Sequence, residues 1–465
     1  MNTIALVDFN SFFASVEQQD DPQLRGKPVG VLPVMAETTS CIAASYEAKA
    51  KGVKTGTGVR EARKLCPGIV FVEARHARYV QVHQQSVEIV DRIAPVYQVL
   101  SIDEMACELT GRWSAPHHAH DIALRIKAAL REGLGECMKV SIGIAPNTLL
   151  AKLASNMQKP DGLVMLGMQD IPFKFLHLKP SAINGIGPRM AKRLELGGIH
   201  TMADLYAAPR DVLRSVWGGV AGHEMYDMLR GLAYAPRETT ARSLGHSHML
   251  PPQMRNPTDA LAVLNRLTQK AAMRLRKQGF YASAMSVHVR CERPRNQSDA
   301  ERAQRSPGAG LDTRFSETQD TAFFLQTLHT LWHSGLHQIQ NPKAVGMVLH
   351  GLVLAGQHTG DLFNATDNPQ CAAELSTTAF NASAASPISA SLTPIAHAAR
   401  SAQDGLASVQ NTKPLRDRSR LNAAMDSINK SQGKNALYFA PAHGALDHAP
   451  MRIAFNRIPD VETET

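Results

Sequence analysis

The chain has 465 residues, of which 44% are hydrophobic and 20% charged, and it carries a formal net charge of +9. That length allows about two to four domains, and the composition is globular rather than collagen-like or disordered. The positive balance attracts polyanions, which places nucleic acid among the candidate partners without singling it out. The six cysteines (41, 66, 107, 137, 291 and 371) form no CxxC pair. They fit reduced thiols in a cytoplasmic protein better than a disulfide framework or a zinc site. The start "MNTIALVDFN" lacks the basic beginning and long apolar stretch of a signal peptide. No run approaches the roughly 20 apolar residues of a membrane span. A soluble cytoplasmic protein with no membrane partner is expected.

In chain order, "TIALVDF" is a short apolar run that reads as a buried strand, and "SFFASVEQQ" continues as a helix with Ser11 as N-cap. The stretch 25–80 holds a strand ("KPVGVLP"), a helix ("ASYEAKAKG") closed by Gly52, and a turn and helix in "TGTGVREARKLCPG" that end before Pro67. "VYQVLSIDEMACEL" follows as a strand pattern. Helical periodicity then runs over 118–133 through Ile122, Leu124, Ile126 and Leu130, and "MKVSIGIAPN" gives another strand. Strand, helix, strand, strand, helix, strand suggests a split βαβ sheet of the ferredoxin-like type, with 25–80 inserted.

From 166 to 236 the pattern is helical, centred on "INGIGPRMAKRL". Residues 242–355 read as a small α+β domain. In its strand "MSVHVRCE", Met285, Val287, Val289 and Cys291 face one way and Ser286, His288, Arg290 and Glu292 the other. Its helix over 258–278 carries Arg266, Lys270, Arg274 and Lys277 on one side, and Leu264, Leu267, Ala271 and Leu275 on another. Residues 365–412 are dense in Ala, Ser, Thr, Asn and Pro and read as a flexible linker. Beyond it, "SRLNAAMDSINKSQGKNALYFA" predicts one helix and one strand, a small C-terminal element within 413–465.

The chemistry rests on acids. Asp8 closes the first apolar strand, and Asp103 and Glu104 interrupt the apolar run "VLSIDEMACEL". Buried unpaired carboxylates are costly, and three at close range repel one another unless a cation lies between them. If the two strands are neighbours, the acids converge on oxygen-only ligation, which favours a hard ion such as Mg²⁺. A turn or bulge at Asp103 and Glu104 would let both serve one metal pair, suited to in-line displacement at phosphorus. Spacing alone leaves open the alternative of two exposed acids at a hairpin tip and an unrelated Asp8.

The segments "VDFNSFFASVE", "ASYEAKAKGVKTGT", "EARKLCPG", "SIDEM", "VSIGIAPNTLLAKLASNMQKPDGL" and "INGIGPRMAKRLELGGI" occur in the order found in Y-family (DinB/UmuC-like) translesion DNA polymerases. The resemblance covers roughly 1–240 closely and 242–355 more loosely. It implies a multidomain α+β fold: a ferredoxin-like palm (1–24 and 81–165), fingers inserted at 25–80, a helical thumb with a helix-hairpin-helix (166–236), an α+β little finger (242–355), then a flexible C-terminal extension. It implies template-directed addition of dNTPs to a primer 3′-hydroxyl with two Mg²⁺ ions, in translesion synthesis and DNA repair. Asp8, Asp103 and Glu104 match the family's metal-binding triad, with the backbone carbonyl of Phe9 as a further ligand. Phe13 matches the steric gate against ribonucleotides, and Phe12 packs beside it. Tyr46, Lys49 and Lys159 match residues that hold the incoming triphosphate. Two positions depart from many members: Lys49 replaces an arginine, losing its planar fork, and Ala43 replaces a threonine, removing one phosphate hydrogen bond. Asn10 is more UmuC-like than DinB-like.

For DNA, Gly185 and Gly187 in the resembling hairpin let backbone N–H groups approach a phosphate at the start of a basic helix carrying Arg189, Lys192 and Arg193. On the little-finger sheet, Arg242, His288 and Arg290 are the candidates for backbone contact, ahead of the basic stripe on the 258–278 helix. In "GQHTGDLF" (356–363), Gln357, Leu362 and Phe363 resemble a bacterial sliding-clamp peptide, with Gly360 where its first Leu belongs. The implied partners are primer-template DNA, dNTPs, a sliding clamp and mutagenic-repair proteins. Two rival readings are a catalytically silent polymerase homologue acting as a repair scaffold, and a nucleotide cyclase, whose palm is similar. The retained acids speak against the first, and the hairpin and little-finger segments against the second.

Overall fold

A computed structural model of the chain describes residues 3–234, 240–291, 308–358, 375–376, 418–433 and 436–445. They fall into two compact units built around Met1–Glu238 and Thr239–Pro450. The first begins with β1 (Thr3–Phe9), α1 (Phe12–Asp20), β2 (Val29–Leu32), β3 (Ala43–Ala44), α2 (Tyr46–Lys49), α3 (Val59–Leu65) and β4 (Val70–Glu73). It continues with α4 (His76–Asp91), β5 (Val96–Ser101), β6 (Glu104–Leu109), α5 (Pro116–Leu134), β7 (Val140–Ala145), α6 (Thr148–Met157) and β8 (Leu163–Met165).

One sheet runs in the order β5-β6-β1-β7-β8, and β1 pairs antiparallel with both β6 and β7. β1 is apolar on both faces because both are covered, as its burial shows. Ala5, Val7 and Phe9 pack with Ile122, Ile126 and Leu130 of α5 and Tyr79 and Val80 of α4. Ile4 and Leu6 turn to the other side, with Leu150, Leu153 and Ala154 of α6. Each such buried Val, Leu or Ile side chain contributes about 1.5–3 kcal/mol. The two-residue period carries Asp8 onto the α6 face, at the end of the strand. The inserted segment has its own sheet, β3-β2-β4, and its own small core of Leu32, Cys41, Ala48, Val53, Val59 and Ala62.

The run "VLSIDEMACEL" is not one strand. It is the hairpin of β5 and β6, with Ile102 and Asp103 in the turn between them. Ser11 also departs from expectation. It stands at the N-cap of α1 in the left-handed region (φ 54), and its side chain caps nothing.

Residues beyond β8 form α7 (Pro188–Leu196), α8 (Met202–Ala207), α9 (Arg210–Trp217) and α10 (Val220–Leu229). The hairpin at Gly185 is followed by a full helix, α7, but preceded only by a single 3-10 turn, Pro180–Ala182. Pro172 and Pro180 lack the N–H donors that a longer first helix needs.

The second unit contains β9 (Ser243–Met249), α11 (Pro257–Lys277), β10 (Phe280–Cys291), β11 (Gly308–Thr318), α12 (Thr321–His333), β12 (Pro342–His350) and α13 (Ser419–Ser431). Strands β11, β10, β12 and β9 lie side by side, antiparallel. Met285, Val287 and Val289 bury against Leu264, Leu267, Ala271 and Leu275 of α11, as the alternation and the helical spacing require. Within the linker segment, the backbone of Leu375–Ser376 pairs with Thr313 and Asp312; the rest of 365–412 lies outside the described residues.

The C-terminal element forms its helix, α13, but not its strand; a 3-10 segment, Ala440–Ala445, follows instead. Side chains take the place of a neighbouring strand. Asn429 exchanges two hydrogen bonds with the backbone of Leu437 (2.8 and 2.9 Å) and Gln269 of α11 two with that of Phe439 (3.3 and 2.9 Å). Arg276 of α11 forks onto the Asp426 carboxylate (2.7 and 2.8 Å) and donates to the Gln319 carbonyl and the Thr321 hydroxyl, both at 2.9 Å. Part of the basic stripe is therefore covered: Arg266 is only 7% exposed, and Arg266 and Lys270 line the groove under α13. Arg276→Ala should cost about 1–3 kcal/mol, the worth of charge-assisted hydrogen bonds in a half-buried setting. Melting of the full chain and limited proteolysis at 418–445 would read it. Unchanged melting and cleavage would show that the element is held elsewhere.

Candidate active site

The site grows from strand register. Asp8 stands opposite Glu104 on one side and Ser141 on the other, and Asp8 is 2% exposed. The β5–β6 turn folds back on β1, where the Phe9 N–H donates to the Asp103 carbonyl at 2.9 Å. His83 of α4 braces the same turn, its Nδ1 2.8 Å from the Ile102 carbonyl. The three acids are thus brought to one edge of the sheet. Asp8 and Glu104 share a face, and Asp103 sits in the adjoining turn with its carboxylate accepting from the Ser101 hydroxyl at 2.6 Å.

Lys152, which no motif-based expectation marked, reaches between the acids from α6. Its ammonium donates to Asp8 and, at 2.8 Å, to Glu104. Burial alone would push the Lys152 ammonium down, but the Asp8 and Glu104 carboxylates outweigh it and hold it above the usual lysine value. Burial pushes Glu104 up, partly offset by Lys152. Lys159 donates to the same Asp8 oxygen at 2.7 Å. Helical spacing does not relate Lys152 to Lys159, which stands beyond the end of α6 at Met157, so nothing local singled Lys152 out.

These residues fit a hard cation by the chemistry of their donors. Asp8, Asp103, Glu104 and the Phe9 carbonyl are all oxygen ligands, and their concentrated negative charge already draws two ammonium groups to Asp8. Among the described residues no three acidic, His or Cys side chains are already drawn together as a metal cage. Lys152 and Lys159 engage Asp8, and Ser101 engages Asp103.

The surrounding side chains are cationic and aromatic. Lys49 donates to Ser11 Oγ at 2.7 Å and lies 4.6 Å over the Tyr46 ring. Burial, then repulsion from Lys159, holds the Lys49 ammonium below its ordinary value. Burial raises the Tyr46 hydroxyl, with Asp8 adding to it. Phe12 is core, 3% exposed and edge-on to Phe9 at 5.3 Å between ring centres. Phe13 is the half-buried ring of the pair. It stacks on Tyr79 at 4.4 Å with 14° between planes. Tyr79 is fully buried, and its hydroxyl donates to Glu17 at 2.7 Å, while Arg75 holds Glu17 with bonds of 3.0 and 3.1 Å.

At the hairpin, Gly185 has φ +94, which favours glycine, whereas Gly187 has an ordinary backbone. A Cβ on either would meet nothing within 4 Å, so both face open space, and Arg189, Lys192 and Arg193 are exposed beside them. In the second unit, His288 and Arg290 lie on the sheet face turned away from α11, while exposed Arg242 immediately precedes β9 instead of lying within a strand. The His288 ring occupies the space over Gly346 where a Cβ would stand, 2.4 Å away. Burial, then Arg290, lowers its pKa, favouring the neutral imidazole. Gln357 is exposed in a 3-10 turn; Leu362 and Phe363 lie outside the described residues. Among the described residues no helix is long and apolar enough to cross a membrane.

Residues 7–156 match the impB/mucB/samB family and residues 241–362 its C-terminal domain. A DNA polymerase IV of Moorella thermoacetica is 36% identical over 369 residues, covering 78% of this chain and 88% of that protein. A DNA polymerase IV of Pelotomaculum thermopropionicum is 36% identical over 292 residues, 62% of this chain and 72% of that one. A Y-family DNA polymerase chimera shares the fold at a TM-score of 0.62 and 23% identity, over 76% of this chain and 99% of that chain. The insertion ternary complex of Dbh DNA polymerase gives a TM-score of 0.50 at 24% identity, with the same coverage. The chain belongs to the impB/mucB/samB family, the DinB/UmuC-like DNA polymerases of the Y family.

Proposed function

We propose that the carboxylate edge at Asp8, Asp103 and Glu104 is the nucleotidyl-transfer centre of a translesion polymerase, set in a ferredoxin-like palm. The reaction is attack of a primer 3′-hydroxyl on the α-phosphate of a dNTP, with pyrophosphate leaving. The observation that carries this reading is the register pairing of Asp8 with Glu104, ringed by Lys152, Lys159, Lys49 and Tyr46.

Asp8, Asp103, Glu104 and the Phe9 carbonyl would hold two Mg²⁺ ions, which when bound stabilise charge on the attacking and leaving oxygens. Lys159, Lys49 and Tyr46 would bind and orient the triphosphate. Lys49 does so as a point charge, without the bidentate grip of an arginine. Lys152 keeps the Asp8 and Glu104 carboxylates together at low cost, since an unbalanced buried pair would repel. Gly185, Gly187, Arg189 and Lys192 would grip the duplex backbone on the first unit, and Arg242, His288 and Arg290 on the second. Such contacts carry affinity without sequence preference. Primer extension by the purified chain with dNTPs and Mg²⁺ tests the whole reading. Extension that stops on chelation supports it; DNA binding without extension would instead mark a silent scaffold.

A sliding clamp is the further partner proposed, through Gln357, Leu362 and Phe363. Large apolar anchors dominate peptide docking. Replacing Leu362 and Phe363 together with alanine should therefore remove clamp-stimulated synthesis while sparing basal extension. Stimulation that survives would move the contact elsewhere, for instance to the C-terminal element.

A further inference from the structure

We propose that Lys127, on the opposite side of the sheet from α6, is the positioning residue for the triphosphate-binding lysine. It pins the turn on which Lys159 stands. The proposal rests on the reading of Lys159 given above.

Lys127 belongs to α5, whose core face is Ile122, Ala123, Ile126 and Leu130. Its side chain is only 14% exposed, although a lysine at the edge of an apolar stripe usually carries its ammonium out to water. Here the ammonium turns inward, onto the turn at Asp161–Gly162 and the start of β7 beside it. It donates to the carbonyls of Asp161 (2.6 Å), Val140 (3.0 Å) and Gly162 (3.2 Å), and it pairs with the Asp161 carboxylate at 2.6 Å. An ammonium has three donors, so these four acceptors take up all of them, with one donor shared. Arg131, one helical turn on, lies 3.6 Å from the same carboxylate but is 58% exposed and adds little.

The turn is also held by Asn10, which immediately follows the strand that bears Asp8. The Asp161 N–H donates to Asn10 Oδ1 at 2.7 Å. Asn10 Nδ2 donates to Ser141 Oγ at 3.0 Å, and Ser141 Oγ accepts from the Gly162 N–H at 3.2 Å. Asn10 and Ser141 are buried. Asp161 adopts φ 57, a left-handed conformation that Asp tolerates better than most residues. A Cβ on Gly162 would stand 1.8 Å from the Gln158 carbonyl, so the turn closes on itself and admits only glycine there. Lys127 and Asn10 therefore clamp the backbone from two sides, and Lys159, two residues before Asp161, is delivered to Asp8.

A flexible four-carbon side chain on a loose loop would hold a phosphate weakly, because binding would have to order both the loop and the side chain. Fixing the backbone beforehand leaves only the side chain to order. The consequence belongs to nucleotide binding more than to the chemical step.

The test uses the full chain and four variants in single-nucleotide extension: Lys127→Met, Asp161→Asn, Lys159→Ala and the Lys127→Met/Lys159→Ala double. Lys127→Met should raise KM for the dNTP about tenfold while kcat falls less than about threefold. Asp161→Asn, which keeps the turn and removes one of the partners of Lys127, should move KM in the same direction by less. The double variant should be no worse than Lys159→Ala alone, since a residue that acts only through Lys159 has nothing left to position. Multiplying effects, or unchanged KM in both Lys127→Met and Asp161→Asn, overturn the proposal, whatever happens to melting temperature. Should Lys127→Met not fold, Asp161→Asn alone decides by the same KM criterion. A Lys159→Ala variant with wild-type KM would instead overturn the reading of Lys159 itself, and that outcome is distinct.

Discussion

Glu104→Ala and Asp103→Ala should each reduce primer extension by about a thousandfold or more, with primer-template affinity changed by less than about twofold. The factor follows from the several kcal/mol that metal stabilisation supplies to developing charge on phosphate oxygens. Affinity should persist because it comes from phosphate contacts spread over both units. The fold should persist as well. Removing Glu104 takes away a carboxylate that burial already disfavours, and Lys152 keeps its contact with Asp8. The Asp103 carboxylate accepts from Ser101 within its own turn, and the bond from the Phe9 N–H goes to the Asp103 backbone carbonyl, which alanine keeps. Asp8 is a poorer choice for this test, because its loss would strand the Lys152 and Lys159 ammonium groups together. Extension rates and DNA binding measured side by side decide the matter. Near-normal extension by either variant removes that acid from the metal-binding set.

Phe13→Ala should raise ribonucleotide incorporation by about a hundredfold, with deoxynucleotide use reduced much less. A pocket that merely leaves space discriminates weakly against one added hydroxyl; a fixed ring beside C2′ turns the hydroxyl into a clash. The ring is fixed here. Phe13 stacks on Tyr79, whose hydroxyl is tied to Glu17, and Glu17 is tied to Arg75. Phe13 is half-buried rather than fully enclosed, so its truncation should cost about 1–3 kcal/mol, less than a full core deletion. If Phe13 were packing alone, both activities would fall in parallel with melting temperature. Incorporation of both sugars, measured together with melting, separates the two. Unchanged sugar selectivity in a destabilised variant ends the gate assignment.

Local pattern was enough for much of this protein. The apolar run of β1, the alternation of β10, the helically spaced apolar residues of α11 and the ordered motifs from "VDFNSFFASVE" to "INGIGPRMAKRL" are all properties of neighbouring residues. They led to the elements, the family and the acids. Three features were not local. Spacing alone left open whether Asp103 and Glu104 stand at a hairpin tip or interrupt a single strand, because apolar residues flank them on both sides and only pairing with β1 divides the run. Lys152 and Lys127 look like ordinary helix lysines. Only the packing of α6 and α5 on opposite faces of the sheet turns one toward the carboxylates and the other onto the Lys159 turn. The segment "NALYFA" has the composition of a strand, yet Gln269, some 170 residues earlier, takes up its backbone groups. In each case the partner is supplied by strand register or helix docking across tens to hundreds of residues. The sequence by itself determined which chemical groups are present and in what local geometry. Tertiary structure decided which charges face one another, because burial fixes a charge only when an opposite one is brought beside it.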